Sequence, residues 1–407
     1  MPAVVLALCL LLWPALPLHA EPLTLAQAVE RARSSSPLRD SAAALADGAR
    51  LAAIYAGRPL NPTTDVRVEN LTPRSNTVLE RDIFAVVNQP FELGGKRGLR
   101  KDLADADREV AALMLRSIER QLALDTVHAY MRAVRARDAL ATLTSQQEGV
   151  STLVTTMRRR VAEGFSAESD LLRFETEASR LALERTRTSI DLTRALQELS
   201  TLMGALNPVE SDQLVSPEPV AVPTLDDAAM TAAIGERPDV QLAALRLQRA
   251  QVAADLEHQR RLPDPAISAG YKRTQGRDTA VAGVVVAIPL FDRNTQATVA
   301  ARATARAAEA DHETARLRAV AEARAALAAA RALTASAATV QRDLLAPAEG
   351  VRSAAQAMFR EGATDVLKLV DAERVYADVR RDALSLAVDA YIAAIDARFA
   401  LAQEQIP

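Results

Sequence analysis

From Gly95 to about Ala162 the apolar residues fall three or four positions apart, at Leu99, Leu103, Ala106, Val110 and Leu113, then at Val127, Met131 and Val134. Neither Pro nor Gly falls between Gly98 and Gly149. This pattern predicts one helix, which at 1.5 Å per residue would run for about 100 Å. Such a helix cannot fold into a compact globule. Its apolar stripe needs neighbouring helices along the whole length, so coiled-coil packing is the expectation. Composition points the same way: apolar residues make up 49% of the chain and aromatic ones only 3%, and Ala, Leu and Val suit long helices packed side by side. A counterpart runs from about Thr295 to Arg360; it is rich in Ala, and Pro347 is expected to bend it. Ala167–Met203 and Asp365–Gln403 carry the same period.

The chain is written twice. The segment NPTTDVRVEN…DIFAVVNQPFELGGKRGLR recurs as DPAISAGYKR…VAGVVVAIPLFDRNTQATV, with Pro62 matching Pro265 and Pro90 matching Pro289. Further on, VAEGFSAESDLLRFETEASR recurs as FREGATDVLKLVDAERVYADVR, with Glu163-Gly164 matching Glu361-Gly362. The expected organisation is a first repeat over residues 21–210, a linker over 211–236 and a second repeat over 237–407. Each repeat reads helix, strand pair, long helix, turn, helix. The strand pairs fall at about 62–90 and 265–290, and the turns near residues 164 and 362.

Both turns between long helices make local sense. Arg158, Arg159 and Arg160 fall where positive charge suits a helix C-terminus. Gly164 fits the left-handed position that follows, and Ser166 is the expected N-cap of the next helix, with Glu168 in its first turn. Gly362, Thr364 and Asp365 take those parts in the second copy.

The predicted strands alternate. Thr63–Asn70 sets Val66 and Val68 against Asp65, Arg67 and Glu69; Ala266–Arg273 sets Ile267, Ala269 and Tyr271 against Ser268, Gly270 and Lys272. One face therefore meets something apolar and the other water. Each strand has only about 8–10 residues, the span of a tilted membrane-spanning strand, and Phe84, Phe91, Tyr271 and Phe291 lie in or beside these strands, where aromatic girdles sit. Soluble hairpins would show the same alternation. In lipid, four strands cannot close a barrel and open edges are forbidden, so several chains must contribute to one barrel. The stretch NQPFELGGKRGLR is then a joint. Pro90 ends a strand, Gly94 and Gly95 turn the backbone, and Lys96 and Arg97 begin the helix on the watery side. It is not a phosphate loop, because the spacing G-x-x-x-x-G-K-[ST] is absent.

Residues 1–20 have an apolar core from Ala3 to Leu12 and a small residue, Ala20, at a plausible cleavage point, as in a secretory signal peptide. The n-region has no Lys or Arg, which points to a start other than Met1; Cys9 lies inside the apolar run and is a poor lipidation site. Beyond residue 20 there is no Cys, which excludes disulfides, and His is limited to His128, His258 and His312, which argues against a Cys- or His-built metal site or a bound cofactor. A net charge of −3 argues against nucleic acid. Neither G-x-S-x-G nor H-E-x-x-H occurs, so an enzyme is not expected.

A secreted chain with duplicated halves, two strand pairs and four long helices resembles the TolC family of outer-membrane efflux channels, over essentially the whole mature length. Within it, QPFELGGKRGLR and IPLFDRNTQATV look like the junction motifs of the CzcC-like branch, which serves heavy-metal efflux driven by resistance-nodulation-division (RND) pumps. The tip stretch EGATDVLKLVDAE is similar to the family's tip motif, with a small shift in its Asp positions. The resemblance implies a mainly α fold with a small β part. Three chains would share a twelve-stranded transmembrane β-barrel, four strands from each, and a twelve-helix periplasmic α-barrel. It implies an outer-membrane location reaching into the periplasm, and as partners a periplasmic adaptor, an inner-membrane RND pump and outer-membrane lipid. Pro90, Gly94, Gly95, Pro289 and Asp292 become barrel–tunnel junctions, and Gly164, Ser166, Gly362 and Thr364 adaptor-docking tips. Asp371 matches the family's acidic constriction, with Lys368 three residues before it and Asp170 and Arg173 on the equivalent face of the first copy. The implied function is a passive exit duct for heavy-metal cations, selection residing in the pump. Drug efflux, type I secretion and a periplasmic coiled-coil adaptor or structural protein are the alternatives.

Overall fold

The computed structural model describes residues 22–69 and 81–406. The expected signal peptide, with Cys9 and Ala20, and Asn70 at the end of the first predicted strand lie outside the described residues. The helices are α1 (Leu25–Ser35), α2 (Pro37–Ala56), α3 (Lys96–Ala162), α4 (Glu168–Leu202), α5 (Asp227–Gly235), α6 (Pro238–Gln259), α7 (Thr295–Val340), α8 (Ala346–Arg360) and α9 (Val366–Ala400). The strands are β1 (Thr63–Glu69), β2 (Asp82–Pro90), β3 (Ala266–Thr274) and β4 (Arg277–Val285). The predicted long helix is thus α3, continuous over 67 residues. Its counterpart is interrupted, because Gln341–Leu345 adopt π-helical hydrogen bonding between α7 and α8. Pro347 sits in the first turn of α8 and has no N–H for the carbonyl of Asp343, and the wider turn absorbs that missing bond. No described helix is long and apolar enough to cross a membrane.

The chain divides into two compact units, each assembled from three separate segments. The first comprises residues up to Ala32, Thr126–Pro219 and Thr339–Val388. Its core packs Leu143, Val150, Val154 and Met157 of α3 against Phe174 and Leu181 of α4 and Val366 of α9. Leu143, Val150 and Met157 are seven apart, as are Phe174 and Leu181, which is the heptad spacing of a coiled-coil seam. Arg158 fastens the α3–α4 hairpin through Glu175 at 2.8 Å, and Arg381 of α9 pairs with Glu184 of α4. Elsewhere in this unit the fully buried Tyr130 hydroxyl lies 2.7 Å from the Leu23 carbonyl and 2.6 Å from that of Val215, which share its one proton. It also accepts from the Val215 N–H at 2.9 Å. Leu23 and Leu214 form a parallel β-bridge beside it.

The second unit comprises Arg33–Asp125, Val220–Ala338 and Asp389–Pro407. Its helical core sets Met230 and Ile234 of α5 against Ala319, Ala323, Leu327 and Ala330 of α7 and Ala393, Ala397 and Ala400 of α9. Small side chains at three- and four-residue spacing let these helices approach closely. Arg237, at the N-cap of α6 and only 5% exposed, ties this packing together through Asp239 at 2.7 Å and Glu322 at 2.8 Å. Burial pushes the Asp239 carboxyl up, but the hydrogen bond and charge of Arg237 outweigh it and hold it below the usual carboxylate range.

The four strands form one antiparallel sheet in the order β1-β2-β3-β4. The two predicted pairs are joined through β2 and β3, where Val86 lies opposite Gly270. The β3–β4 turn is two residues long, and Gln275 and Gly276 both have positive φ, as a tight I′ hairpin requires. β2 ends at Pro90 as expected, but β4 ends at Val285, four residues short of Pro289. Val285 is opposite Ala266, the first residue of β3, so no partner strand extends far enough to continue the ladder.

Candidate functional site

The register sorts the sheet into two chemically distinct faces. Directly opposed residues share a face, so Val66, Ala85, Tyr271 and Ala280 form one row, and Val68, Ile83, Val87, Ala269, Ala282, Ile267 and Val284 belong to the same side. That side is apolar over the body of the strands. It ends in Arg273 and Asp278 near the β3–β4 turn, where the Tyr271 hydroxyl donates to Asp278. The opposite side carries Asp65, Arg67, Glu69, Asp82, Ser268, Lys272 and Thr279. There Phe84 lies between two cations. Lys272 sits 4.7 Å and Arg67 5.9 Å from its ring centroid, and Arg67 also pairs with Asp65 at 3.1 Å. The apolar face is open in the single chain: Val66 is 66% exposed and Val284 68%. β1 and β4 are the edges.

At the β2–α3 junction Gly94 and Gly95 have φ of +71° and +75°, which a side chain would strain. A Cβ on Gly94 would also stand 2.6 Å from Leu262 Cδ1. Lys96, expected on the watery side, is buried: its Nζ donates to Asp264 Oδ1 at 2.7 Å and to the Leu262 carbonyl at 2.5 Å. Asp264 also accepts from the Leu93 N–H at 3.0 Å. The buried ammonium therefore pins the first junction to the segment leading into β3. Arg100 completes it, with Glu92 at 2.6 Å and the carbonyls of Ala56 and Arg58 at 2.7 and 3.0 Å. The β4–α7 junction is built differently. Asp292 accepts from the Asn294 N–H at 2.9 Å, and Asn294, at φ +54°, donates its side chain to the Glu257 carbonyl at 2.8 Å. Pro289 falls in the extended lead-in between β4 and this turn.

The two helix tips have matching geometry. Gly164 and Gly362 have φ of +79° and +73°. At the first tip the Phe165 N–H reaches the Arg160 carbonyl (2.8 Å) and the Gly164 N–H that of Val161 (3.0 Å). At the second, Ala363 reaches Met358 (2.8 Å) and Gly362 reaches Phe359 (3.1 Å), so both are Schellman ends. The expected N-caps are displaced by one residue. Ala167, not Ser166, precedes α4 and makes no side-chain cap, and Asp365, not Thr364, accepts from the Leu367 N–H, at 3.4 Å. The Schellman turn sets where the next helix can begin, and the polar residue nearest in sequence falls just outside that point.

Lys368 and Asp371 lie on α9 beyond the second tip, and Asp170 and Arg173 on α4 beyond the first. Lys368, Asp371 and Arg173 are exposed and Asp170 half-buried. The tip-side residues are thus presented outward from the first unit's core. The Lys96–Asp264 clasp, Arg100–Glu92 and the Tyr130 clamp were not singled out from sequence. Lys96 and Tyr130 have partners 85 or more residues away, and Arg100 and Glu92 are joined across the turn between β2 and α3, so no helical or strand spacing marks them.

Three comparisons bear on this arrangement. The family model described as "Outer membrane efflux protein" matches residues 229–403. The chain is 30% identical over 275 residues to the nickel-cobalt-cadmium resistance protein NccC of Alcaligenes xylosoxydans, an alignment covering 66% of this chain and 61% of that protein. It is 26% identical over 378 residues to the cobalt-zinc-cadmium resistance protein CzcC of Cupriavidus metallidurans, covering 92% of this chain and 89% of that one. Its fold is similar to that of the Campylobacter jejuni CmeC outer membrane channel, with a TM-score of 0.79 at 14% identity, over 93% of this chain and 86% of that one. The comparisons converge: residues 229–403 match the outer membrane efflux protein family, and the chain is similar to the metal-resistance proteins CzcC and NccC and, in fold, to an outer-membrane channel.

Proposed function

We propose that the protein is the outer-membrane channel of a tripartite RND-type efflux system, a passive exit duct for heavy-metal cations and not an enzyme. The observation that carries this reading is the sheet, with one apolar face, one polar face and two open edges. In lipid those edges must be paired, and three copies joining β4 of one chain to β1 of the next give a closed twelve-stranded barrel. Its apolar face meets lipid, and the side bearing Arg67, Phe84 and Lys272 lines water. The substrate class rests on the NccC and CzcC relatives, whose names specify nickel, cobalt, zinc and cadmium resistance. The tips at Gly164 and Gly362 take the adaptor, and Asp371, Lys368, Asp170 and Arg173 form a charged constriction just inside them. Threefold symmetry would set three Asp371 carboxylates about one axis, where they attract cations or pair with Arg173 or Lys368 of neighbouring helices.

The test is the state of the protein in membranes. A heat-modifiable trimer in the detergent-extracted outer-membrane fraction is expected, and its deletion should sensitise the host to cobalt, zinc, cadmium or nickel. A monomer released with the soluble periplasmic fraction would overturn the channel. A trimer whose loss leaves metal tolerance unchanged would overturn the cargo alone.

A further inference from the structure

Between α3, α8 and α9, inside the first unit, lies a cavity of about 650 Å³ that none of the channel parts described above uses. Its size suits a small organic ligand that buries most of its surface. Val150 of α3 and Leu369 of α9, both buried, give it apolar walls.

The polar groups lining it are unequally matched. The acidic ones are engaged: Asp138 is held by Arg137 at 2.8 Å, and Glu373 accepts from Gln356 Nε2 at 2.5 Å. The basic ones have donors to spare. Arg352 lies 4.1 Å over the Tyr376 ring, its buried Nε meets no acceptor, and the carboxylate it approaches, Glu349, stands 3.8 Å away. Arg380 gives one N–H to the Tyr376 hydroxyl at 3.1 Å. Across the cavity the Gln146 side chain is only 9% exposed, and its buried Oε1 has no partner. Turned over, the same amide becomes a donor. Two guanidinium groups and an amide thus line one cavity with apolar walls, and the Arg352 Nε–H lacks an acceptor. Leaving such groups buried and unmet is costly, and a carboxylate fits the planar donor fork of arginine.

We propose that this cavity is a receptor for a free amphipathic organic carboxylate. The carboxylate bridges Arg352 and Arg380 beside the Tyr376 ring, the Gln146 amide donates to it, and the apolar body lies against Val150 and Leu369. A ligand seated there ties α3 to the α8–α9 hairpin. Lys368 and Asp371 flank this part of α9, so occupancy resists any motion of that hairpin that widens the constriction. This regulatory consequence, unlike the binding, rests on the channel reading above.

The experiment is isothermal titration of the full-length processed protein in lipid nanodiscs with 2-naphthoate. 2-Naphthylmethylamine serves as a control with the same apolar body and the opposite charge. Saturable naphthoate binding at one site per chain is expected, with none for the amine. Arg352→Gln with Arg380→Gln should weaken naphthoate binding by about 10-fold or more, whereas Glu373→Gln, which removes a repelling carboxylate, should tighten it. That gain guards against a misfolded double variant being read as a lost site. Equal uptake of both probes, no saturable binding at millimolar naphthoate, or unchanged binding in the double arginine variant would each overturn the receptor. In planar bilayers, naphthoate should lower the conductance of the wild type but not of the double variant. Binding without that effect keeps the receptor and removes its link to the channel.

Discussion

Arginine at two adjacent positions of β4 separates the sheet's faces. Ala282 lies opposite Ala269 on the apolar side, and Val281 lies opposite Gly270 on the polar side. β4 has nine residues, so at ~3.4 Å each it is about 30 Å long, and a tilt of ~40° leaves about 23 Å along the membrane normal, close to the ~25 Å apolar band of an outer-membrane barrel. Ala282 is one residue from the middle of the strand, so in the proposed barrel it would lie within about 3 Å of the bilayer midplane. Arginine facing lipid at that depth costs about 2–4 kcal/mol. In the proposed barrel of three chains the copies, too far apart to interact, would bring the total to about 6–12 kcal/mol, which is comparable to the whole stability of an ordinary domain. Val281→Arg, facing water, should cost under about 1 kcal/mol. Semi-native electrophoresis of membrane extracts reads the heat-modifiable assembly, and urea titration of protein refolded into bilayers reads the free energy. The expected result is loss of assembly in Ala282→Arg and near-normal assembly in Val281→Arg. The reverse order, or equal tolerance of both, would refute the assignment of faces.

Asp371→Ala should alter cation selectivity and make single-channel conductance less sensitive to divalent cations, while Arg173→Ala should loosen the closed state and raise conductance; wild-type traces from both would leave only the end of a helical bundle. Arg237→Gln should destabilise the second unit by about 1–3 kcal/mol, as expected when the carboxylates of Asp239 and Glu322 lose their charged donor. Its pH dependence follows from Asp239, whose carboxyl Arg237 holds below the usual range. The stabilisation is complete above the unfolded value, about pH 4, and is lost as pH falls through the lower folded value. Thermal unfolding of the wild type should therefore weaken in that acid window more steeply than that of Arg237→Gln; parallel acid limbs would contradict it.

What was legible in the sequence was whatever repeats locally. The three-to-four spacing from Leu99 to Val134 produced α3, the two-residue alternation in TTDVRVE and AISAGYK produced β1 and β3, and Gly164 and Gly362 marked turns that need positive φ. Features set by a distant partner were not legible. Lys96 looks like a solvated charge beside Gly95, because Asp264 stands 168 positions away. The run VAGVVVAIPLF shows no internal break, so its pattern extends to Pro289. The strand stops at Val285 because β3, its partner, begins only at Ala266. The caps erred for a nearer reason: Ser166 and Thr364 are good N-cap residues by type, but the Schellman turn before each helix decides which position caps. The proposed constriction residues have no local signature either. Lys368 and Asp371 are ordinary exposed helix charges in one chain, and only the proposed threefold axis would bring copies of them together.

The Tyr130 clamp sets an order of events for a chain that emerges from its amino end. Leu23 is 107 residues ahead of Tyr130, and Tyr130 is 85 ahead of Val215. In the proposed exported channel Leu23 therefore has no docking site until the polypeptide out to Val215 has crossed the inner membrane. Until then the leading segment is a free strand edge beside a partly built coiled coil, open to proteases and chaperones. Closure of a loop this long is slow compared with helix formation. The hydroxyl of one tyrosine thus works as a completion mark: once it meets both carbonyls, the first half of the chain has arrived and the segment at Leu23 is locked.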